Sequence, residues 1–278
     1  MSGGEPQYAA IARAGLSVEA ISAAALPFEN YLPLDAVPPD LVVLARLELE
    51  HGIPPEHVLV LSPQDADGTG GGTGDGTGHG PGVSALALAG LGVPAVAQPL
   101  FLVRSDPLRE TMVAALAELV HGSGWAGEDV GLTFLEELSG TTVFELLEWA
   151  VPPETGATVV VCDEPLFVDA RVPGRFKAVG LRLRRGSGPL RVLGCGEGSP
   201  GAGPGRAEHR FSGRGPCDGW LGLHAALAAR AVRDGEWVLV HVRGPLREGW
   251  LLLEAADTES VRLGGDGGGS APSCDQEL

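Results

Sequence analysis

Lysine is almost missing from this chain: Lys177 is the only one among 278 residues. A phosphate-gripping G-x-x-x-x-G-K-[ST] loop is therefore impossible, because Lys177 precedes Ala178. Asparagine is equally scarce, with Asn30 alone. No H-E-x-x-H, C-x-x-C or G-x-S-x-G pattern occurs, which removes the commonest zinc, paired-thiol and serine-elbow signatures. No apolar run reaches the ~18 residues that a membrane-crossing helix needs. The start, Met1 to Gln7, lacks the charged-then-apolar layout of a signal peptide. Positive charge is also in short supply: the net charge is −17, which argues against nucleic acid as a partner, since phosphate neutralisation needs clustered Lys and Arg.

Apolar residues make up 44% of the chain, enough for a sizeable core at this length. Cys162, Cys195, Cys217 and Cys274 are scattered without paired spacing, as expected in a reducing compartment and hence the cytoplasm. One basic stretch breaks the acidic balance. Arg171, Arg175, Lys177, Arg182, Arg184, Arg185 and Arg191 run without an intervening acid, a local +7 that leaves −24 elsewhere. Eighteen arginines beside one lysine, with abundant Ala, Gly and Pro, reflect GC-rich codon usage.

Three segments have compositions that lose much backbone entropy for little burial: 66–82, 196–205 and 264–278. They are expected to be disordered, as is the N-terminus over 1–15, leaving 16–263 as one α/β domain. Deleting Asp67 to Gly80 should therefore leave the melting temperature almost unchanged, because loop closure changes by only about 0.6 kcal/mol per halving of length.

Between these inserts the pattern predicts strands at 16–26, 57–62, 83–89, 95–103, 130–134 and 157–162. Helices are predicted over 38–51, from Ser105-Asp106-Pro107 to Val120, over 141–150 and over 217–232. In Ala178 to Arg185, Val179, Leu181 and Leu183 alternate with Gly180, Arg182 and Arg184. That reads as a strand with one buried and one wet face, followed through Gly186-Ser187-Gly188 by a partner strand at 190–193. Segments 236–242 and 249–255 form a hairpin around Gly244-Pro245.

Gly196-Glu197-Gly198-Ser199-Pro200-Gly201 fits G-x-G-x-x-G, but Pro200, Pro204 and the glycines between forbid the helix a dinucleotide needs. The Gly/Thr run 71–76 does not keep the spacing of calcium-binding repeats. Asp163 and Glu164 end a buried strand, where open α/β sheets place chemistry. Cys217 opens a helix, a position that lowers a thiol pKa. His209 lies eight residues upstream, while His224, two turns along the helix or about 10.8 Å, is too far to act as its base.

The segment Ser212-Gly213-Arg214-Gly215-Pro216-Cys217-Asp218-Gly219-Trp220, its helix, Arg233 to Val240, Gly244 and Gly249 to Leu253 resemble the C-terminal end of ketoacyl synthase III-like proteins. These are a branch of the thiolase superfamily. Ala115 to Leu138, Thr158 to Glu164 and Ala178 to Gly194 look like upstream elements of the same proteins, so the likeness covers about half the chain. It implies a layered thiolase-like αβαβα architecture, here reduced and shorter than usual.

The resemblance also implies a Cys-His-Asn set for decarboxylative condensation, and here the chain departs from it. Glu137-Leu138-Ser139-Gly140 looks like the place for the nucleophile, and Leu138 occupies it. Arg214 stands where a polar residue of the Gly loop is expected, and Asn30 is far from the expected asparagine position. Leucine has neither a nucleophile nor a titratable proton.

Two expectations follow. One is a non-condensing partner or scaffold in acyl-thioester biosynthesis, of the polyketide or fatty-acid-like secondary-metabolite kind. It would need no cofactor or metal, and would form a homo- or heterodimer or dock an acyl carrier protein or a competent ketosynthase-like subunit. Arg182, Arg184 and Arg185 would face that acidic partner. The other is an acyltransferase of this fold with a relocated site, Cys217 and His209 being the first pair to test.

Overall fold

A computed structural model describes residues 15–27, 31–36, 54–61, 82–105, 112–133, 135–165, 167–171, 175–244 and 247–265. The expected helix over 38–51, and all but the margins of segments 1–15, 66–82 and 264–278, lie outside them.

The strands in chain order begin with β1 (Leu16–Pro27), β2 (Tyr31–Pro33), β3 (Val58–Leu61), β4 (Leu100–Arg104) and β5 (Asp129–Leu132). Next come β6 (Ala157–Asp163), β7 (Phe167–Asp169), β8 (Arg175–Arg185) and β9 (Leu190–Glu197). The last are β10 (His209–Gly213), β11 (Trp237–Arg243), β12 (Glu248–Ala255) and β13 (Arg262–Gly264). Ten of them make one sheet in the order β10-β11-β12-β9-β1-β8-β6-β4-β5, with β13 pairing β1 off that path. β2, β3 and β7 form a small separate sheet.

The large sheet repeats itself about its middle. β1 pairs antiparallel with β8, β8 antiparallel with β6, and β6 parallel with β4. On the other side β9 pairs antiparallel with β12, β12 antiparallel with β11, and β11 parallel with β10. A short antiparallel contact between β1 and β9 joins the halves.

Helices divide the molecule into layers. Helices α1 (Val83–Leu91) and α2 (Met112–Ser123) cover the outer face of the first half. Val83, Ala87, Leu88, Leu116 and Leu119 pack there on Leu100, Leu102, Val160 and Ala178. Helices α3 (Val143–Ala150) and α4 (Asp218–Ala228) bury Phe144, Leu147, Trp220 and Leu223 against both halves at once. Val159 and Val179 meet them from one half, Val240 and Leu251 from the other. The order is thus helix, sheet, helix, sheet.

The outer face of the second half carries residues 198–208 in place of helices, with the 3-10 turn Pro204–Arg206 packed on β11. Gly203 and Pro204 are buried there, as are Leu239 and Leu252 on the sheet face. This corrects the reading of 196–205 as a disordered linker. Gly196 and Glu197 lie within β9, and a Cβ on Gly196 would crowd the Trp250 ring at 3.0 Å.

Three further expectations change. Residues 83–91 form a helix, not a strand. The run is short and apolar throughout, so periodicity cannot arbitrate, and its alanines and leucines are strong helix formers. Residues 95–99 lie outside any strand and pairing begins at Leu100. β9 does not pair with β8 across the Gly186 turn, because β1 lies between them.

His224 sits on the packed side of α4, its Nε2 3.1 Å from Gly264 O. Burial holds its pKa below the ordinary value, against the smaller opposing effect of that carbonyl. The folded state therefore prefers the neutral ring, and the unfolded chain takes up the proton first as pH falls. Stability should drop below the ordinary imidazole pKa of about 6.5. His224→Gln should flatten that slope, read from urea midpoints on either side of it.

Candidate functional site

The carboxyl ends of the parallel strands β4, β5 and β6 meet a short elbow, the 3-10 turn Glu136–Gly140, which leads into α3. The Glu136 N–H donates to Ser105 O at 3.0 Å, tying the elbow to the end of β4. Glu136 has φ of 49°, a left-handed conformation that a side-chain-bearing residue adopts only when its surroundings fix it.

Close approach by the second half closes the elbow. A Cβ on Gly140 would lie 2.0 Å from Pro216 O, and Trp220 Nε1 donates to Gly140 O at 2.7 Å. A Cβ on Gly249 would lie 2.5 Å from Leu138 Cδ2 and 2.7 Å from Thr141 Oγ1. Leu138 is 3% exposed and Ser139 fully buried. The leucine side chain therefore fills the point where the elbow, the loop before α4 and the start of β12 converge. The leucine itself offers neither a proton donor nor a nucleophile, and the hydroxyl beside it, Thr141 Oγ1, donates to Leu138 O at 3.5 Å.

Beside the elbow, Asp218 organises the loop before α4. Its Oδ2 accepts from the N–H groups of Arg214 and Gly215, each at 2.9 Å, and its Oδ1 pairs with Lys177 Nζ at 2.5 Å. The single lysine is thus a structural cation, its charge favoured by Asp218 against the cost of burial. Arg104 pairs with Glu164 at 2.8 Å, where burial raises the carboxyl pKa and Arg104 opposes that rise.

The pair Cys217 and His209 is not brought together. Cys217 precedes α4 beyond the far end of β10, while His209 opens that strand. Cys217 is fully buried and its Sγ donates to Val161 O at 3.4 Å. Burial first, and then Asp163, push its pKa well above the usual thiol value, so the expected thiolate is absent. The helix start cannot offset desolvation in an apolar layer. His209 Nε2 instead meets Glu236 Oε2 at 2.7 Å, with its ring stacked on Phe211.

The three arginines proposed as a docking face have separate jobs. Arg182 is 4% exposed. Its guanidinium donates to Thr158 Oγ1 at 2.7 Å and to Gly92 O at 2.8 Å, capping the carboxyl end of α1. The alternation along β8 is as read, but α1 covers the face expected to be wet. Gly180 allows this approach, since a Cβ there would lie 2.8 Å from Ala87 O. Arg185 donates to Val151 O at 2.8 Å and to Glu148 O, at the end of α3. Only Arg184 is exposed, and it pairs with Glu19 at 2.9 Å. Arg171 and Arg191 are also paired, with Asp169 and Glu254.

A second polar cluster, missed in the sequence, spans three neighbouring strands. Ser212 Oγ lies 3.4 Å from His241 Nδ1, and His241 Nε2 lies 2.8 Å from Glu248 Oε1. Glu248 Oε2 accepts from Ser199 Oγ at 2.9 Å. His241 and Glu248 flank the predicted hairpin turn, so their shared face was readable. Ser212 joins them only through parallel pairing of β10 with β11. Among the described residues no group of three or more His, Cys, Asp or Glu could hold a metal ion. No helix among them is long and apolar enough to cross a membrane.

A search against models of known families finds no match, and a search of curated proteins finds none either. Solved structures do match. The acyltransferase ChlB3 is 12% identical with a TM-score of 0.54, over 88% of this chain and 99% of that one. A 3-oxoacyl-(acyl-carrier-protein) synthase III is 12% identical with a TM-score of 0.50, over 86% and 99%. An HMG-CoA synthase complexed with CoA is 8% identical with a TM-score of 0.51, over 89% and 84%. At such identities the likeness establishes the fold, and that fold is thiolase-like.

Proposed function

We propose that this thiolase-like chain does not condense acyl thioesters and serves as a partner subunit in acyl-thioester biosynthesis. One observation carries the reading: the elbow that begins α3 holds Leu138, buried against Gly249, a side chain that can be neither nucleophile nor base. Incubation with malonyl-CoA should give no acetyl-CoA above a heat-killed control, because the Leu138 side chain can neither hold an acyl group nor donate a hydrogen bond to the enolate that decarboxylation creates. Decarboxylation clearly above that control would refute the reading.

The partner role rests on the exposed surface. Among the described strands β5 ends the large sheet, and its Val130 is 38% exposed. The outer side of α3 presents Leu146 at 50% and Trp149 at 88% exposure. An edge strand and a bare tryptophan are characteristic of surfaces that another subunit covers. The outer side of α3 replaces the arginine face as the candidate contact with a second thiolase-like chain. The purified protein should sediment as a dimer, and Trp149→Glu should shift it to a monomer without changing its circular dichroism.

A further inference from the structure

Ser212, His241 and Glu248 stand on β10, β11 and β12 in an unbroken polar chain, on the face of the sheet opposite the one on which Gly249 meets Leu138. Ser212 lies directly across from His241 in the parallel register. Glu248 reaches His241 diagonally, because Trp250 is its direct partner. All three project from the sheet face opposite α4, since Phe211 and Val240 on the alternate positions pack with that helix.

Burial along this chain is greatest at the histidine. Ser212 is exposed, the His241 side chain is only 4% exposed, and Glu248 is partly covered. Two further groups hold the carboxylate: Ser199 at 2.9 Å and Arg243 Nε at 3.4 Å. The Ser199 bond leads the causes that keep the Glu248 carboxyl below its ordinary pKa, with His241 and Arg243 adding to it, so it stays ionised at neutral pH. Residues 198–208, folded over this face, therefore fix Glu248, which fixes His241. A fixed base with one ring nitrogen on a carboxylate and the other on an exposed hydroxyl is the arrangement that activates serine. The 3.4 Å separation is within the looser range of unliganded sites.

Among the described strands β10 is also the edge of the large sheet. Alternate N–H groups of an edge strand have no neighbouring strand, and backbone donors of that kind stabilise an oxyanion. Arg210, exposed two residues before Ser212 on the same side of the strand, adds positive charge to that face.

We infer that Ser212, His241 and Glu248 form a second, hydrolytic site that cleaves small acyl esters or thioesters through a serine acyl-enzyme. Ser212 Oγ bonds to the acyl carbon as its proton passes to His241 Nδ1. The bond from the acyl carbon to the leaving oxygen or sulfur then breaks, and His241 returns the proton to the departing group. Water attacks the serine ester, again through His241, and releases the carboxylic acid with Ser212 restored. This inference does not rest on the elbow, and it stands whether or not the chain condenses acyl groups.

The test combines covalent labelling with turnover. A fluorophosphonate probe should add one adduct per chain, mapped by peptide mass spectrometry to Ser212, and Ser212→Ala should abolish it. Hydrolysis of p-nitrophenyl acetate should fall to background in Ser212→Ala, whose exposed position leaves the fold intact. His241→Asn should lower it on the order of 100-fold, the usual worth of a general base. Glu248 is a positioning residue: Glu248→Gln should slow hydrolysis, and Glu248→Asp, which keeps a carboxylate for His241 Nε2, should restore part of the rate. Such rescue shows that the carboxylate orients the ring, and a purely structural residue would not give it. No labelling above heat-denatured protein, or equal labelling and turnover in Ser212→Ala, overturns the inference. Equal slowing in Glu248→Gln and Glu248→Asp removes Glu248 from its role. Loss of hydrolysis with unchanged malonyl-CoA results separates this site from the elbow.

Discussion

Trp220→Ala should lower the unfolding free energy by about 4 kcal/mol, within the range for deleting a large aromatic from a packed core. The indole is fully buried between the two halves of the sheet and lies near-parallel to Phe144, ring centroids 5.8 Å apart. Its Nε1 is also a hydrogen-bond donor to Gly140 O at 2.7 Å, so truncation leaves both a cavity and an unpaired elbow carbonyl. Urea unfolding followed by circular dichroism would measure the loss. Trp220→Phe separates the two contributions: it keeps much of the packing and should cost only a part of the total, the hydrogen bond and the smaller void. A loss below about 1 kcal/mol in Trp220→Ala would mean that the central layer does not hold the halves together as described, since even a modest core deletion costs more.

Arg182→Glu should be nearly as damaging, whereas Arg184→Glu should fold normally. At position 182 a carboxylate would face the carbonyl oxygens of Leu91 and Gly92, which now accept from the guanidinium. Such a reversal leaves a buried charge among acceptors, with a cost of roughly 3–5 kcal/mol. Burial already lowers the arginine pKa to about 10, a sign of how little water reaches it. Arg184 gives up only a surface pair with Glu19, worth at most about 1 kcal/mol. Thermal melts of the two single variants would show the contrast. Similar melting temperatures for both would contradict the burial of Arg182 under α1.

The same arginine shows what was and was not legible in the sequence. Alternation along 178–185 identified the strand and the inward side of Val179, Leu181 and Leu183 correctly. It could not show that the other side is covered, because the covering element, Val83 to Leu91, has an apolar run too uniform to reveal its helical period. The helix with Trp220, Leu223 and Leu227 inward and the hairpin of β11 with β12 were readable for the opposite reason. Their apolar and turn residues fall at spacings that only one element type satisfies.

Strand order was not readable. Nothing local in Gly186-Ser187-Gly188 says that β1, some 160 residues earlier in the chain, lies between β8 and β9. The Gly/Pro segment 196–205 was dismissed by composition, yet tertiary packing against β11 orders it and sets Ser199 on Glu248. Cys217 failed as a candidate because a helix start was visible and its burial was not. Leu138 lies buried in the turn that leads into α3, the segment to which the resemblance pointed.

The most direct measurement is condensation itself. Purified protein would be mixed with a set of acyl-thioesters and malonyl-acyl carrier protein, and β-ketoacyl products sought by mass spectrometry against a heat-killed control and a competent ketoacyl synthase. With Leu138 filling the elbow, no β-ketoacyl product should form above the heat-killed control while the competent enzyme converts the same substrates. Turnover clearly above that control would contradict the account, because it would require a nucleophile where the structure places only a buried leucine.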